Sequence, residues 1–449
     1  MTRRGLAILL GIVWFLADTR VALGHGIGGR LDLPVPVTYF AAGAAVVLIL
    51  SFVALSALWD QPRLEGGTRG QDLGVRARTG WLGVVGLAGL LLVVGQIVPE
   101  TAGLEVGPLT IAPVLVWVLF WLVVPFLSAL IGGWYTDLNP WRAIATATGI
   151  GGAERGRLLR RAGVWPASVL MIAFVWLELI HPDPADPVVL GWAALVYTAL
   201  LLVAMGYAGK ETGLVVFDVF TTYNRLISSI SPIGRSRDGR LVWRGWLRSL
   251  ALLPSWPGLW FFVVAVIGTV SFDGLSGTDG YPTAFGSFGE SMPGATILLL
   301  AAVGLIAAGY RVACFAASRA SGKGEVTAAR VAARFAHTLV PIALAYALAH
   351  YLTLILFEGQ QIIAAVSDPF GLGWDLFGTA GRRIDFFVTA AEPIWYAQVA
   401  IIVGGHLLGV ILAHDRALAD FGRGAVRSQY AMLLLMVALT TLGLLILAG

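Results

Sequence analysis

The chain has 449 residues, of which 58% are hydrophobic and only 12% charged, with a mean hydropathy of +0.83. Soluble domains carry about 25% charged residues, so this balance excludes an ordinary soluble domain and defines a polytopic membrane protein. The net charge of +4 is sorted by loop, which is a topology signal and excludes a nucleic-acid footprint, and the single cysteine, Cys314, excludes a disulfide framework or a multi-cysteine metal site.

The amino terminus reads as a cleavable signal peptide over residues 1–24: Arg3 and Arg4 precede an apolar stretch from Gly5 to Ala17, and Ala22 and Gly24 occupy the small-residue positions of a cleavage site. Cleavage after Gly24 makes His25 the first residue of a single transmembrane domain, 25–449. An N-terminal His offers its amine and a ring nitrogen as a chelating pair for a metal such as copper.

Apolar runs long enough to cross a bilayer fall near 36–58, 81–99, 109–133, 165–181, 188–208, 258–273, 294–318, 335–357, 395–414 and 429–448. The expected architecture is therefore an all-α bundle of about ten spans. The sixth run is short and ends in "SFDG", which predicts a tilted, broken or re-entrant segment. Between the third and fourth runs, "LNPWRA" predicts a short helix beginning at Pro140 and capped by Asn139.

Lys and Arg concentrate in alternate loops, at 59–80, 134–164, 209–257, 319–334 and 415–428. The positive-inside rule makes these loops cytoplasmic and the mature N-terminus extracytoplasmic. Only Arg20, Arg30, Arg382 and Arg383 fall outside, with Arg311 within a span. The 209–257 segment mixes apolar and basic residues and is expected along the cytoplasmic surface, its cations near anionic lipid. Trp134, Tyr135 and Trp395 sit at span ends, as interfacial anchors do.

Ionisable groups inside such spans are costly and so become candidate functional residues. The eighth span carries His337 at its cytoplasmic end, His350 in its outer half and Glu358 at the outer mouth. The ninth carries His406 near mid-depth and His414 at the inner boundary. The two pairs are about 19.5 and 12 Å apart along their helices, from 1.5 Å of rise per residue. That mismatch argues against a two-haem arrangement and leaves a single haem b or metal ion between His350 and His406 open. Glu178 and His181 stand three residues apart near the end of the fourth span, a spacing that shares a helix face. Asp273, Glu358, Asp368, Asp375 and Asp385 are expected near the outer mouth with them. The candidate metal ligands are thus His350, His406, Glu178 and His25, for zinc or copper, with Glu358, Asp273, His181 and Asp375 around them or touching substrate. His337 and His414 form a weaker inner layer whose simplest role is interfacial. A His and carboxylate site with an open position would activate a metal-bound water; the same groups would equally relay protons or bind a cation in a transporter.

The stretches "HGIGGRLDLPVPVTYF", "LNPWRA", "FVWLELIHPDPADP", "HTLVPIALAYALAHYLTL", "SDPFGLGWDLFGTA" and "GHLLGVILAHDRAL" together resemble bacterial polytopic membrane proteins labelled fenitrothion hydrolase, from His25 to about Ala417. The resemblance implies a bacterial cytoplasmic membrane and hydrolysis of an organophosphorus phosphotriester with release of a substituted phenol, the small apolar substrate arriving through the lipid bilayer. It assigns no catalytic residues. Two further classes stand beside it: a membrane transporter of a small solute or metal ion, and a haem- or copper-binding redox subunit.

Overall fold

The computed structural model describes residues 37–448 apart from 65, 67–69, 78, 152–156, 237 and 323–325. The signal segment and His25 lie outside the described residues. Among the described residues ten long helices follow one another: α1 (Val37–Leu58), α2 (Leu82–Val94), α3 (Ile111–Ile131), α4 (Trp165–Leu179), α5 (Pro187–Ala208), α6 (Leu259–Ser276), α7 (Met292–Ala320), α8 (Ala328–His350), α9 (Ala391–Phe421) and α10 (Ala425–Ala448). Each expected span coincides with one of them. All but α4 belong to stretches long and apolar enough to cross a membrane, with α9 and α10 joined through a break at Gly422. At 15 residues α4 is about 22 Å long, short of a hydrocarbon core of about 30 Å. The protein is an all-α polytopic bundle.

Peripheral and central helices differ sharply. About a quarter of α1, α2 and α5 is buried by the protein itself, and Leu50, Val84 and Val203 project outward, as a lipid-facing surface requires. By contrast α6 is 72% buried and α8 is 78% buried. The sixth run is therefore short because it is a central helix wrapped by others; it is continuous, and "SFDG" forms part of its last turns, so the expected break is absent.

Close approach holds the centre together. Apolar burial drives little association in lipid, and helices instead pack through small residues. In α9, Gly405 and Gly409 lie one turn apart against α8. A Cβ on Gly405 would stand 2.7 Å from the Pro341 carbonyl, and one on Gly409 would stand 3.0 Å from that of Thr338. Within α8, Pro341 cannot donate to His337, and residues 336–339 tighten into a 3₁₀ turn there. A second irregularity lies in α3, where residues 114–123 run as π-helix beside Trp117 and Trp121.

The 209–257 segment does not lie on the surface. Two helices, Lys210–Phe217 and Val219–Ser228, insert Phe220, Tyr223 and Ile227 into the core, because their apolar faces find α3, α4 and α5 to pack on. Asp218 between them is fully buried. It accepts from Asn139 Nδ2 at 2.8 Å, Tyr197 Oη at 2.9 Å, Thr221 Oγ1 at 2.6 Å and the Phe220 amide at 3.1 Å. Burial pushes its carboxyl above the usual carboxylate range, and these hydrogen bonds offset only part of that shift. Asn139 also caps the helix Pro140–Thr148, as "LNPWRA" predicts. Composition gave no sign of strands, yet a small antiparallel sheet closes this basic end: β1 (Gln71–Arg76) and β2 (Ile233–Arg235) both pair with β3 (Arg240–Trp243).

Candidate functional site

At the end of the bundle opposite the sheet, the two central helices place an acid and a base side by side. Asp273 lies in the last turn of α6, and His350 is the last residue of α8. His350 Nε2 and Asp273 Oδ2 are 2.9 Å apart, each side chain about one-fifth exposed. Where α8 ends, the backbone of Tyr351 leaves helical geometry, and its ring packs edge-on against His350 with centroids 4.8 Å apart. Tyr351 and Asp273 interact electrostatically, and Trp121, from the π-helical part of α3, lies beside Tyr351. Glu178, at the end of α4, interacts electrostatically with Asp273 and Tyr351, and its Oε2 is sealed from solvent with no hydrogen-bond partner. A buried carboxylate oxygen without a partner is costly, so it calls for a proton, a cation or a donor.

Glycine permits this arrangement. A Cβ on Gly274 would overlap the Ile446 side chain of α10 and touch His350 Cε1 at an ordinary 3.4 Å, so glycine lets α10 close on α6 beside the imidazole. One step further along α6, Ser271 is buried and faces Tyr346, whose Oη closes no hydrogen bond.

The other expected residues do not join. Gln398 donates to the Ala349 carbonyl at 2.9 Å, and Gly405 and Gly409 meet Pro341 and Thr338. This antiparallel register sets His350 level with Gln398, so His406 lies about 12 Å deeper along the bundle, eight residues at 1.5 Å each. One metal ion or haem cannot be held by both. His406 is buried, donates from Nδ1 to the Ile402 carbonyl of its own helix at 2.9 Å, and leaves Nε2 without a partner. His181 falls outside α4, which stops at Leu179 before the proline-rich linker, so it shares no face with Glu178; its Nδ1 accepts from the Asp183 amide at 3.1 Å.

The remaining carboxylates are turn formers. Glu358 is engaged by Gln361, Asp375 accepts from the Ala380 amide at 2.9 Å, Asp368 from those of Leu372 and Gly373, and Asp385 from that of Phe387. Of the five carboxylates expected at the mouth, only Asp273 enters the cluster. Among the described residues, no group of three or more His, Cys, Asp and Glu is arranged to hold a metal ion.

At the basic end, His337 donates from Nδ1 to the Arg334 carbonyl at 2.9 Å. His414 bridges Gln429 Oε1 at 3.2 Å and the Trp59 carbonyl at 2.9 Å. Beside it, buried Asp415 accepts from Trp59 Nε1 and the amides of Arg63 and Leu64, which fastens the chain leaving α1 to α9. Both residues at 414 and 415 are structural clamps.

Sequence reasoning passed over Tyr351, Gly274 and Trp121. The adjacency of Tyr351 to His350 was a usable signal, whereas the other two acquire meaning only from packing. Compared with family models, curated proteins and solved structures, the chain matches none, so the chemistry of the cluster rests on its geometry.

Proposed function

We propose that the protein is a multi-pass carrier of the bacterial cytoplasmic membrane, its mature N-terminus outside, in which Glu178, Asp273 and His350 take up a proton or small cation from the extracytoplasmic side. The observation that carries this reading is the unpartnered Glu178 oxygen beside the Asp273–His350 pair, whose helices α6 and α8 are mostly enclosed by protein. Intramembrane acids and histidines of this kind mark ion and proton pathways.

Two further features support it. Buried polar atoms without partners recur at deeper levels, at Tyr346 Oη and then His406 Nε2, as steps of a relay would. The helices beside them are irregular, with π geometry in α3 and a 3₁₀ turn in α8, and carriers commonly build their sites from interrupted helices. The basic loops at the opposite end favour the orientation.

The test is proton flux in liposomes reconstituted with the purified protein, an internal pH dye reporting on an imposed gradient. Glu178→Gln and His350→Ala should each cut protein-dependent flux about tenfold, one unit in log rate or 1.4 kcal/mol. Flux equal to empty liposomes for the native protein would sink the proposal.

Hydrolysis of an organophosphorus phosphotriester is a second reading, favoured by the Asp273–His350 hydrogen bond. A carboxylate that orients an imidazole leaves the other ring nitrogen, Nδ1, to take a proton from an attacking water. Phenol released from a phosphotriester by the same preparation, and lost in His350→Ala, would favour it. Metal analysis of that preparation tests zinc or copper independently.

A further inference from the structure

A second built site lies at the basic end, remote from Glu178 and unused by either reading. A cavity of about 300 Å³ opens between the segment preceding α6 and the neighbouring ends of α8 and α9, with Ser255, Leu259, Ala333, Arg334, His337 and Arg416 on its walls. The two guanidiniums are held in place by the fold. Arg334 binds Asp420 twice, Nε to Oδ2 at 2.6 Å and Nη2 to Oδ1 at 2.5 Å, and Arg416, 8% exposed, donates from Nη2 to the Ala251 carbonyl at 2.6 Å. Asp420 itself does not line the cavity, so the charge presented there is positive. A smaller adjoining recess adds Arg225, whose guanidinium lies 3.9 Å over the Trp256 ring.

Two features select the kind of anion. Leu259 begins α6, whose N-cap, Gly258, supplies no side-chain cap. The positive end of a long buried helix therefore borders the cavity, as at many phosphate sites. His337 is 4% exposed, lines the cavity and commits Nδ1–H to the Arg334 carbonyl, which leaves Nε2 as the ring's lone-pair nitrogen. Such a nitrogen accepts from a hydroxyl. We propose that this cavity binds a phosphate group carrying a neighbouring hydroxyl, with Arg416 and Arg334 on the phosphate oxygens and His337 accepting from the hydroxyl. Two sources share that chemistry: the glycerophosphate headgroup of an anionic lipid, and a soluble phosphate of the same form.

Purified full-length protein in neutral detergent distinguishes them. Native mass spectrometry would follow retention of phosphatidylglycerol against phosphatidylcholine, and thermal unfolding at constant ionic strength would follow inorganic phosphate and glycerol 3-phosphate. Preferential retention of phosphatidylglycerol with no stabilisation by the soluble anions assigns the lipid; stabilisation by glycerol 3-phosphate, with displacement of the lipid, assigns the soluble phosphate. In either case Arg416→Gln should weaken binding about tenfold, as loss of one charge-assisted contact does. Ala333→Phe, which fills the cavity and leaves every charge in place, should abolish binding, whereas exposed Arg427→Gln should leave it unchanged. Should Arg416→Gln fail to fold, Ala333→Phe decides alone. Equal retention of both lipids without stabilisation by either anion overturns the proposal, as does native-like binding by Ala333→Phe.

Discussion

Asp273→Asn is the most informative single change, because it removes a charge while keeping the shape and one acceptor oxygen of the side chain. His350 Nε2 stands 2.9 Å from Oδ2, and Tyr351 interacts electrostatically with the same carboxylate. Hydrogen bonds to a charged group contribute about 1.5–3 kcal/mol against about 1 for neutral ones, so the change costs the pair about 0.5–2 kcal/mol. If the pair moves protons, that loss appears as a rate reduction of about two- to thirtyfold in dye-reported flux. Thermal unfolding in detergent provides the control, since the substituted amide still accepts from its neighbours and the melting temperature should fall by only a few degrees. His350→Gln should give a comparable loss of flux by removing the other member. Flux within twofold of the native protein in both variants, with native stability, would refute the assignment of the pair to proton movement.

Asp218→Ala should destabilise the protein by about 3–5 kcal/mol in denaturant titration, because the buried donors of Asn139, Tyr197 and Thr221 lose their acceptor together. The Asp218 carboxyl is raised in the folded state, so folding favours its protonated form; its contribution is largest below the unfolded value, declines as pH rises through the folded one, and that slope should flatten in Asp218→Asn. Gly274→Ala should cost about 1–3 kcal/mol by forcing the Ile446 side chain away from α6, and Ile446→Ala should recover part of that loss in a double-mutant cycle. Asp415→Ala should lower the melting temperature while sparing flux, since it frees three donors of the 59–64 segment far from the Glu178 cluster.

How much of this was legible beforehand divides along a physical line. Span positions were legible because about 20 consecutive apolar residues have few alternatives in a chain of this length. The Asn139 cap was legible because capping is a contact between residues three apart. His350, Asp273 and Glu178 could be nominated as costly groups in apolar runs, but their selection from among His406, His181, Glu358 and Asp375 could not, because it depends on register. One such quantity, the pairing of Gln398 with Ala349, separates His406 from His350. Another is the end of α4 at Leu179, which decides that Glu178 faces inward without His181. Acidic residues near Gly and Pro read equally well as ligands or turn formers, and Asp368, Asp375 and Asp385 proved to be the latter.

The central position of α6 and α8 gives both ends of the bundle their chemistry. A helix on the rim can turn a polar group toward lipid headgroups, but a helix enclosed by protein must satisfy its polar groups from its neighbours or leave them in need of a partner. At one end α6 and α8 terminate in Asp273 and His350, with Glu178 adding a buried oxygen that lacks a donor. At the other, the uncapped start of α6 and the His337 turn of α8 meet Arg334 and Arg416 across an open cavity. The first end gathers two acids beside a histidine, and the second gathers guanidiniums. The same two helices join both ends, and Gly405 and Gly409 hold α8 against α9 without room for a Cβ.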